Sequence, residues 1–332
     1  MKPSLAIDLS VIVVSYNNAP EILSCIASIE AACAGLRYEI FVVDNASQDH
    51  CAAMVAAHCP QVSLLQSEVN LGFAAGNNLA MAQAQGRYIA LVNPDARPEA
   101  GSLNQAVSWM SIHPDVGLAG GRLFSEDGRD QPSARRFPSL LNDFLALSGL
   151  SARFASNRFF GRCDRTWANP AQAAQVDWVP GAFTLIAHHA LEQVGFFDER
   201  FFLYYEEVDL CQRMKQRGFE VWYQPEWRAV HIGGVSSARV TGAHFNRHGS
   251  QLSLWRMRST LLYYRKHHGW LTAKLDSLLE QSWHALRQHR NQLFCERQQA
   301  IEKAQESGAL RQLLQQAWCD TAGGRRSPPT PW

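Results

Sequence analysis

Five short polar clusters in this 332-residue chain hold side chains able to do chemistry, and each adjoins an apolar run or a helical pattern. Ser15-Tyr16-Asn17-Asn18 follows Ser10–Val14, Asp44-Asn45-Ala46-Ser47 follows Glu39–Val43, and Asn93-Pro94-Asp95-Ala96-Arg97 follows Tyr88–Val92. A carboxylate placed as Asp44 is can accept the ring N–H of a pyrimidine or hold a ribose hydroxyl. The same residue, or Ser47, can also cap the helix that follows. Asp95, reached after a rigid proline, suits a hard cation that bridges a diphosphate, although N-P-D-A also makes a type I turn. Asn70-Leu71-Gly72-Phe73-Ala74-Ala75-Gly76-Asn77-Asn78 offers tight turns and backbone N–H groups to an anionic or base-bearing ligand, or forms an ordinary glycine-rich loop. Tyr204-Tyr205-Glu206-Glu207-Val208-Asp209 supplies three carboxylates. On a helix Glu206 and Asp209 share a face and Glu207 points roughly 100° away, so they need not act alike. Acids in a first helical turn also favour the macrodipole, and Asp209 can pair with Arg213 at i+4.

Two familiar phosphate-binding patterns are missing. The turn after the first apolar run contains neither G-x-G-x-x-G nor G-x-x-x-x-G-K-[ST], which speaks against a nicotinamide dehydrogenase or a P-loop ATPase. In Trp178-Val179-Pro180-Gly181-Ala182-Phe183 the glycine lets the backbone approach a ligand, and Trp178 can stack on a sugar or sit in the core. Arg135 and Arg136 read as solvated loop cations.

The elements that must position these residues follow from periodicity. Apolar runs at Ser10–Val14, Glu39–Val43, Val62–Leu65 and Tyr88–Val92 alternate with helical spacing over Glu21–Ala32, Asp49–Ala57 and Gly76–Gln85. That rhythm predicts an α/β fold with a doubly wound, mainly parallel sheet, whose ligands bind beyond the carboxyl ends of the strands. Residues 132–175 dissolve into short aromatic and basic pieces and read as an irregular excursion near the site. Regular structure resumes at Val176–Ile186, with a helix over Glu206–Arg217 and strands over Glu220–Tyr223 and Arg228–Ile232. The expected domains are 1–245 for the sheet, 246–318 for a helical appendage and 319–332 for a flexible tail.

Composition bounds the function. The chain is 46% hydrophobic and 18% charged, ample for a packed core, with a net charge of +1 that disfavours a nucleic-acid coat protein. The average hides sorting: residues 1–245 carry net −6 and residues 246–332 net +7. Eight cysteines without a C-x-x-C pair read as reduced thiols of a cytosolic protein. There is no signal peptide and no apolar run of about 18 residues. The basic, aromatic segment 250–270 is read as a peripheral membrane contact, with a core-docking helix or RNA stacking as rivals.

In order and spacing, VIVVSYNN, VVDNAS, NLGFAAGNN, LVNPDA, VPGAFTLI, GFFDERFFLYYEEVDLCQR and AVHIGG resemble the family 2 glycosyltransferases over about residues 9–265. They are most similar to members that transfer rhamnose or galactofuranose in bacterial surface polysaccharide synthesis, of the cell wall and O-antigen type. The resemblance implies a GT-A fold and transfer of a sugar, with inversion, from a dTDP- or UDP-sugar to a glycan or polyprenyl-diphosphate-linked saccharide. It implies a divalent metal, Mg2+ or Mn2+, and a cytoplasmic place of work at the inner face of the membrane.

It also implies roles for residues. Asp44 contacts the base, with Ser15 and Tyr16 lining that pocket, and Asn70, Gly72, Phe73 and Asn77 shape the nucleotide loop. Asp95 belongs to the metal motif, where Asn-Pro-Asp replaces the commoner Asp-x-Asp, and His231 supplies a second metal ligand. Glu207 stands at the position of the catalytic base, one methylene longer than the usual Asp, with Asp209 as alternative. Trp178, Gly181 and Glu206 lie near donor sugar and acceptor, and Arg135 and Arg136 near an acceptor diphosphate. His188 stands where similar enzymes often carry Arg. A sugar-phosphate nucleotidylyltransferase would want cations after the first strand, and Ser15–Pro20 has none. A non-catalytic sugar-nucleotide or glycan-binding protein would not need Asp95, Glu207 and His231 together.

Overall fold

The protein is described from a computed structural model covering residues 7–233, 250–293 and 298–328. In chain order its elements are β1 (Leu9–Ser15), α1 (Ala19–Ala32), β2 (Tyr38–Asn45), α2 (Cys51–His58), β3 (Ser63–Ser67), α3 (Gly72–Met81), β4 (Tyr88–Val92), β5 (Ala96–Pro98), α4 (Ser102–Ser111), β6 (Val116–Phe124) and β7 (Asp130–Gln131). There follow α5 (Leu140–Leu147), α6 (Leu150–Arg153), β8 (Ala174–Gln175), β9 (Phe183–Ala187), α7 (His188–Val194), α8 (Glu206–Gln216), β10 (Glu220–His231), α9 (Ser250–Gln292) and α10 (Gln298–Asp320). Two compact units emerge. The first holds 7–137, 164–198 and 206–233; the second holds 138–163, 199–205, 250–293 and 298–328.

In the first unit the strand order is β3-β2-β1-β4-β9-β6-β10-β5, with β7 on β6 and β8 on β10. β3, β2, β1 and β4 are parallel, β9 runs antiparallel between β4 and β6, and β10 is parallel to β6. The sheet is therefore mostly parallel, as the alternation of runs predicts. Leu9, Val11, Ile12 and Val13 are buried on both faces of β1, the pattern of a strand covered by helices on each side. On α1, Ile22, Cys25, Ile26 and Ile29 form one buried stripe behind Pro20 in the first turn.

Three local expectations change. Helix α3 opens at Gly72, a turn before the expected Gly76, because the Asn45 and Asn70 side chains hold its first residues. Gly76 instead lies where the helix crosses β1, and a Cβ there would meet Val14 Cγ1 at 3.0 Å. The two strands expected over 220–232 form one strand, β10, since residues 225–227 loop out as a bulge against β6 and pairing then resumes. The excursion 132–175 is not wholly irregular. It contains α5, capped by Ser139 Oγ accepting from Asn142 N at 3.3 Å, and α6.

In the second unit α9 breaks at Gly269 (φ 84°), giving two helical arms, and α10 packs along it. The expected membrane contact over 250–270 is corrected for most of its length. Leu254, Trp255, Met257, Leu261, Leu262, Tyr263 and Tyr264 are all buried. Arg256 pairs with Glu280 at 2.8 Å, and Arg258 Nε donates to Asp320 at 3.0 Å. The interleaved aromatics and cations thus build a core helix. Within the expected tail, Thr321 is buried, its Oγ1 donates to Ala317 O at 2.7 Å, and Gly324 N donates back to it at 3.0 Å. The boundary at 245/246 and residues 329–332 lie outside the described residues. Among the described residues no helix is long and apolar enough to cross a membrane.

Candidate active site

One rim of the first unit's sheet collects the polar strand ends. Ser15 and Asp44 are register partners at the carboxyl ends of β1 and β2, and β4 lies on the other side of β1. The ends of β2 and β4 are therefore about 10 Å apart, two strand spacings. Because β9 is antiparallel to β4, its leading segment 178–182 reaches the same rim, and Asn93 N donates to Ala182 O at 3.0 Å. His231 ends β10 beside Ala96. His188, by contrast, bonds Gly86 O at 2.8 Å at the opposite end of β4, so its departure from Arg is a framework matter.

Asp44 is buried. Its Oδ2 accepts from Ser47 N at 3.3 Å, while Oδ1 has no hydrogen-bond partner. A buried carboxylate oxygen left open costs free energy unless something donates to it, which is what a base-reading acceptor requires. Ser15 faces inward, with Oγ 3.1 Å from Cys51 Sγ, so only its backbone is available to a ligand. Tyr16 N donates to Asn18 Oδ1 at 3.2 Å. Sequence reasoning passed over the residues that fix this loop. Asn17, at φ 56°, donates from N to Ser47 Oγ (3.0 Å) and accepts at Oδ1 from Gln48 N (2.7 Å), and Ala19 N donates to Asp49 (2.8 Å). Asparagine is one of few side chains that tolerate a left-handed backbone, and the doubled Asn17-Asn18 was the available signal.

Asn45 organises the glycine-rich loop. Its Oδ1 accepts from Leu71 N (2.8 Å), and its Nδ2 donates to Asn70 Oδ1 (2.9 Å) and Gly72 O (3.1 Å). Asn70 Oδ1 also accepts from Gly72 N at 2.9 Å. Asn77 is buried and donates to Phe73 O at 2.8 Å, so its side chain braces α3 from inside. A Cβ on Gly181 would meet the Phe73 ring at 3.4 Å, an ordinary contact, so this packing alone does not demand glycine.

Asp95 and His231 meet. His231 Nε2 lies 3.5 Å from Asp95 Oδ1, and both side chains are largely buried. Gln131 sets the imidazole: Oε1 is 2.8 Å from His231 Nδ1, and Nε2 donates to His231 O at 2.7 Å. Gln131 Oε1 accepts from Nδ1–H and so turns Nε2 toward Asp95, the ring orientation a metal ligand needs. One carboxylate and one imidazole form a donor set that fits Mg2+ or Mn2+ sharing its remaining positions with phosphate oxygens and water. Among the described residues no group of three or more His, Cys, Asp or Glu side chains could enclose a metal without such help.

The three acids of α8 separate. The chain enters this helix through Tyr204 (φ 68°) and Tyr205 (φ 70°), two successive left-handed residues costing about 1–2 kcal/mol each. Glu206 is buried, and burial together with the charge of Glu207 raises its carboxyl well above the usual range. Burial raises Glu207 too, but backbone N–H groups, the Glu206 hydrogen bond and the charge of Arg135 oppose that rise. One oxygen of each carboxyl, Oε2, is buried without a hydrogen-bond partner. Asp209 differs: it is fully buried and accepts from Arg213 Nε at 2.8 Å, while Arg213 holds Val194 O, Gly195 O and Phe196 O. That bonding ties Asp209 to the framework.

Arg135 bridges to Trp178 by mutual backbone hydrogen bonds, pairs with Asp164 at 3.1 Å and lies over the Trp178 ring at 4.9 Å. Trp178 Nε1 donates to Arg136 O at 2.9 Å. One face of the indole is thus taken by a guanidinium, and Trp178 is only half-buried.

A mostly parallel sheet with carboxylates and an imidazole gathered on its carboxyl rim is the frame of a nucleotide-sugar-type transferase. Residues 10–179 match the family model described as glycosyl transferase family 2, and the chain belongs to that family as a glycosyltransferase. It is 28% identical over 293 residues, 85% of this chain and 92% of the relative, to N-acetylglucosaminyl-diphospho-decaprenol L-rhamnosyltransferase of Mycobacterium tuberculosis (strain ATCC 25618 / H37Rv). It is 24% identical over 262 residues, 76% of this chain and 91% of the relative, to rhamnosyltransferase WbbL of Escherichia coli (strain K12). The fold is similar to the mannosyltransferase PcManGT of Pyrobaculum calidifontis in complex with GDP-Man and Mn2+, with a TM-score of 0.51 and 17% identity over 96% of this chain and 91% of that one. It is also similar to GalNAc-T7 with UDP, GalNAc and Mn2+, with a TM-score of 0.54 and 12% identity over 78% of this chain and 48% of that one.

Proposed function

We propose that this glycosyltransferase is metal-dependent and inverting, and moves a rhamnose-like or other hexose from a dTDP- or UDP-sugar to a polyprenyl-diphosphate-linked glycan at the cytoplasmic face of a membrane. The observation that carries this reading is the buried pair Glu206 and Glu207, each with an Oε2 left without a hydrogen-bond partner, in the unit that also contains Asp44 and Asp95. Asp44 Oδ1 accepts the base N–H, and the Asn45-braced loop shapes the nucleotide pocket. Glu207, ionised with help from Glu206 and Arg135, takes the proton of the attacking acceptor hydroxyl. The hydroxyl oxygen forms the new bond to the anomeric carbon while the nucleoside diphosphate leaves from the other side. Asp95 and His231 would hold the divalent cation, which when bound supplies neutralising charge to the diphosphate. The two relatives named as rhamnosyltransferases, one of them for a decaprenyl-linked GlcNAc acceptor, favour this donor and acceptor chemistry.

The test is a donor screen with manganese or magnesium. The full chain is warmed with dTDP- and UDP-sugars, and the melting shift of a bound donor is read by mass action. Released nucleoside diphosphate is then assayed with a polyprenyl-diphosphate-GlcNAc acceptor. Nucleoside diphosphate release supports the reading, pyrophosphate release makes the chain a nucleotidylyltransferase, and binding without turnover makes it a binding protein.

A further inference from the structure

The second arm of α9 carries its polarity inside out. Its buried side chains are mostly polar: Asp276, Ser277, Glu280, His284 and Asn291. Its exposed side is largely apolar: Leu271, Leu275, Leu278 and Leu286, with Leu293 just beyond the helix, are 44–68% exposed, Trp270 stands exposed at the near end, and exposed Ser282 and His289 interrupt the leucines. At 3.6 residues per turn these leucines fall in a stripe about 80° wide running the length of the arm. A water-facing helix should show the reverse. Eleven of the fifteen large hydrophobic side chains exposed among the described residues lie in the second unit, so the leucines do not reflect a generally greasy surface.

Charge identifies the occupant. The arm has only two carboxylates, Asp276 and Glu280, and both are buried. The charged side chains beside the stripe are Lys274, half-exposed over Trp318 at 4.4 Å, and exposed Arg290. A second copy fits poorly: antiparallel pairing about Ser282 sets Lys274 against Arg290, and parallel pairing sets each cation against itself. Apolar side chains ending in a tryptophan and flanked by cations alone fit acyl chains beneath anionic headgroups. We propose that residues 270–293 dock the protein on an anionic lipid surface, with the leucines and Trp270 at the acyl boundary and Lys274 and Arg290 on headgroup phosphates. The surface lies beyond the 250–270 segment that its composition singled out.

The test is flotation of the full chain with phosphatidylglycerol–phosphatidylcholine vesicles against pure phosphatidylcholine, without donor or acceptor, so the result is independent of the transfer reading. Wild type is expected to float with the anionic vesicles. A Leu275→Gln/Leu278→Gln/Leu286→Gln variant should lose at least about tenfold in partitioning at unchanged melting temperature, and Lys274→Gln/Arg290→Gln about fivefold per cation, mostly at low salt. Three results overturn the proposal: a leucine variant that floats like wild type, a wild type that does not float, or a concentration-dependent wild-type dimer that the leucine variant makes monomeric.

Discussion

Gln131 holds His231 at two points, with Oε1 2.8 Å from Nδ1 and Nε2 2.7 Å from the main-chain oxygen. Neither bond touches Asp95, yet together they decide which imidazole nitrogen faces it.

The first prediction follows. Gln131→Leu removes both bonds, frees the ring to change tautomer, and should raise the Mn2+ concentration needed for half-maximal transfer by about 10–100-fold. Donor binding measured without metal should stay the same. A metal titration that superimposes on wild type would show that His231 plays no part in holding a cation.

A second prediction concerns pH. Burial lifts Glu207 above the ordinary glutamate range, and a base works only when ionised. The acid limb of kcat/KM should therefore lie above the pH at which an exposed glutamate titrates, with activity rising as pH rises through it. Glu206→Gln keeps a neutral donor beside Glu207 and should leave transfer within about tenfold of wild type. A larger loss in that variant would make Glu206 the base.

Third, Arg213→Ala strips a fully buried carboxylate of its partner and releases three carbonyls. The expected cost is about 3–5 kcal/mol of stability, read by denaturant melting. Transfer per folded molecule should persist, which a catalytic Asp209 would not permit, since its charge would lose the group that orients it.

Fourth, stability of the second unit should fall as pH rises. Asp143 accepts from Tyr264 and from Asp276, and burial with neighbouring carboxylates pushes Asp143 up to about 6 and Asp276 up to about 8. Both folded values exceed the unfolded ones, so the folded state binds more protons. The contribution is complete below the ordinary aspartate range and is lost as pH climbs to about 8. Melting temperature followed from pH 5 to 9 should decline, and Asp276→Asn should flatten the decline. A flat wild-type profile would contradict the buried cluster.

Much of the sheet was readable because strands buried on both faces write continuous apolar runs, as SVIVV and YIALV do. The rim residues were readable because they follow those runs directly. What escaped depends on side-chain bonds between distant loops. Asn45 restarts α3 a turn early through contacts 25 to 27 residues away, and Gln131 reaches His231 across 100 residues; no local periodicity encodes either. Asp209 was separable from Glu207 only in part, since i+4 spacing offered Arg213 as a partner but could not reveal its three carbonyl bonds. Segment 250–270 misled because interleaved aromatics and cations look alike whether a helix meets lipid or, as here, is enclosed by its own unit.

The most direct measurement compares wild type with Glu207→Gln in one reaction, following donor binding by melting shift and nucleoside diphosphate release with acceptor present. The account predicts donor binding within about threefold of wild type and transfer reduced about 10²–10⁴-fold, the range of a lost general base. Transfer near the wild-type rate in that variant would contradict Glu207 as the base and with it the proposed reaction geometry.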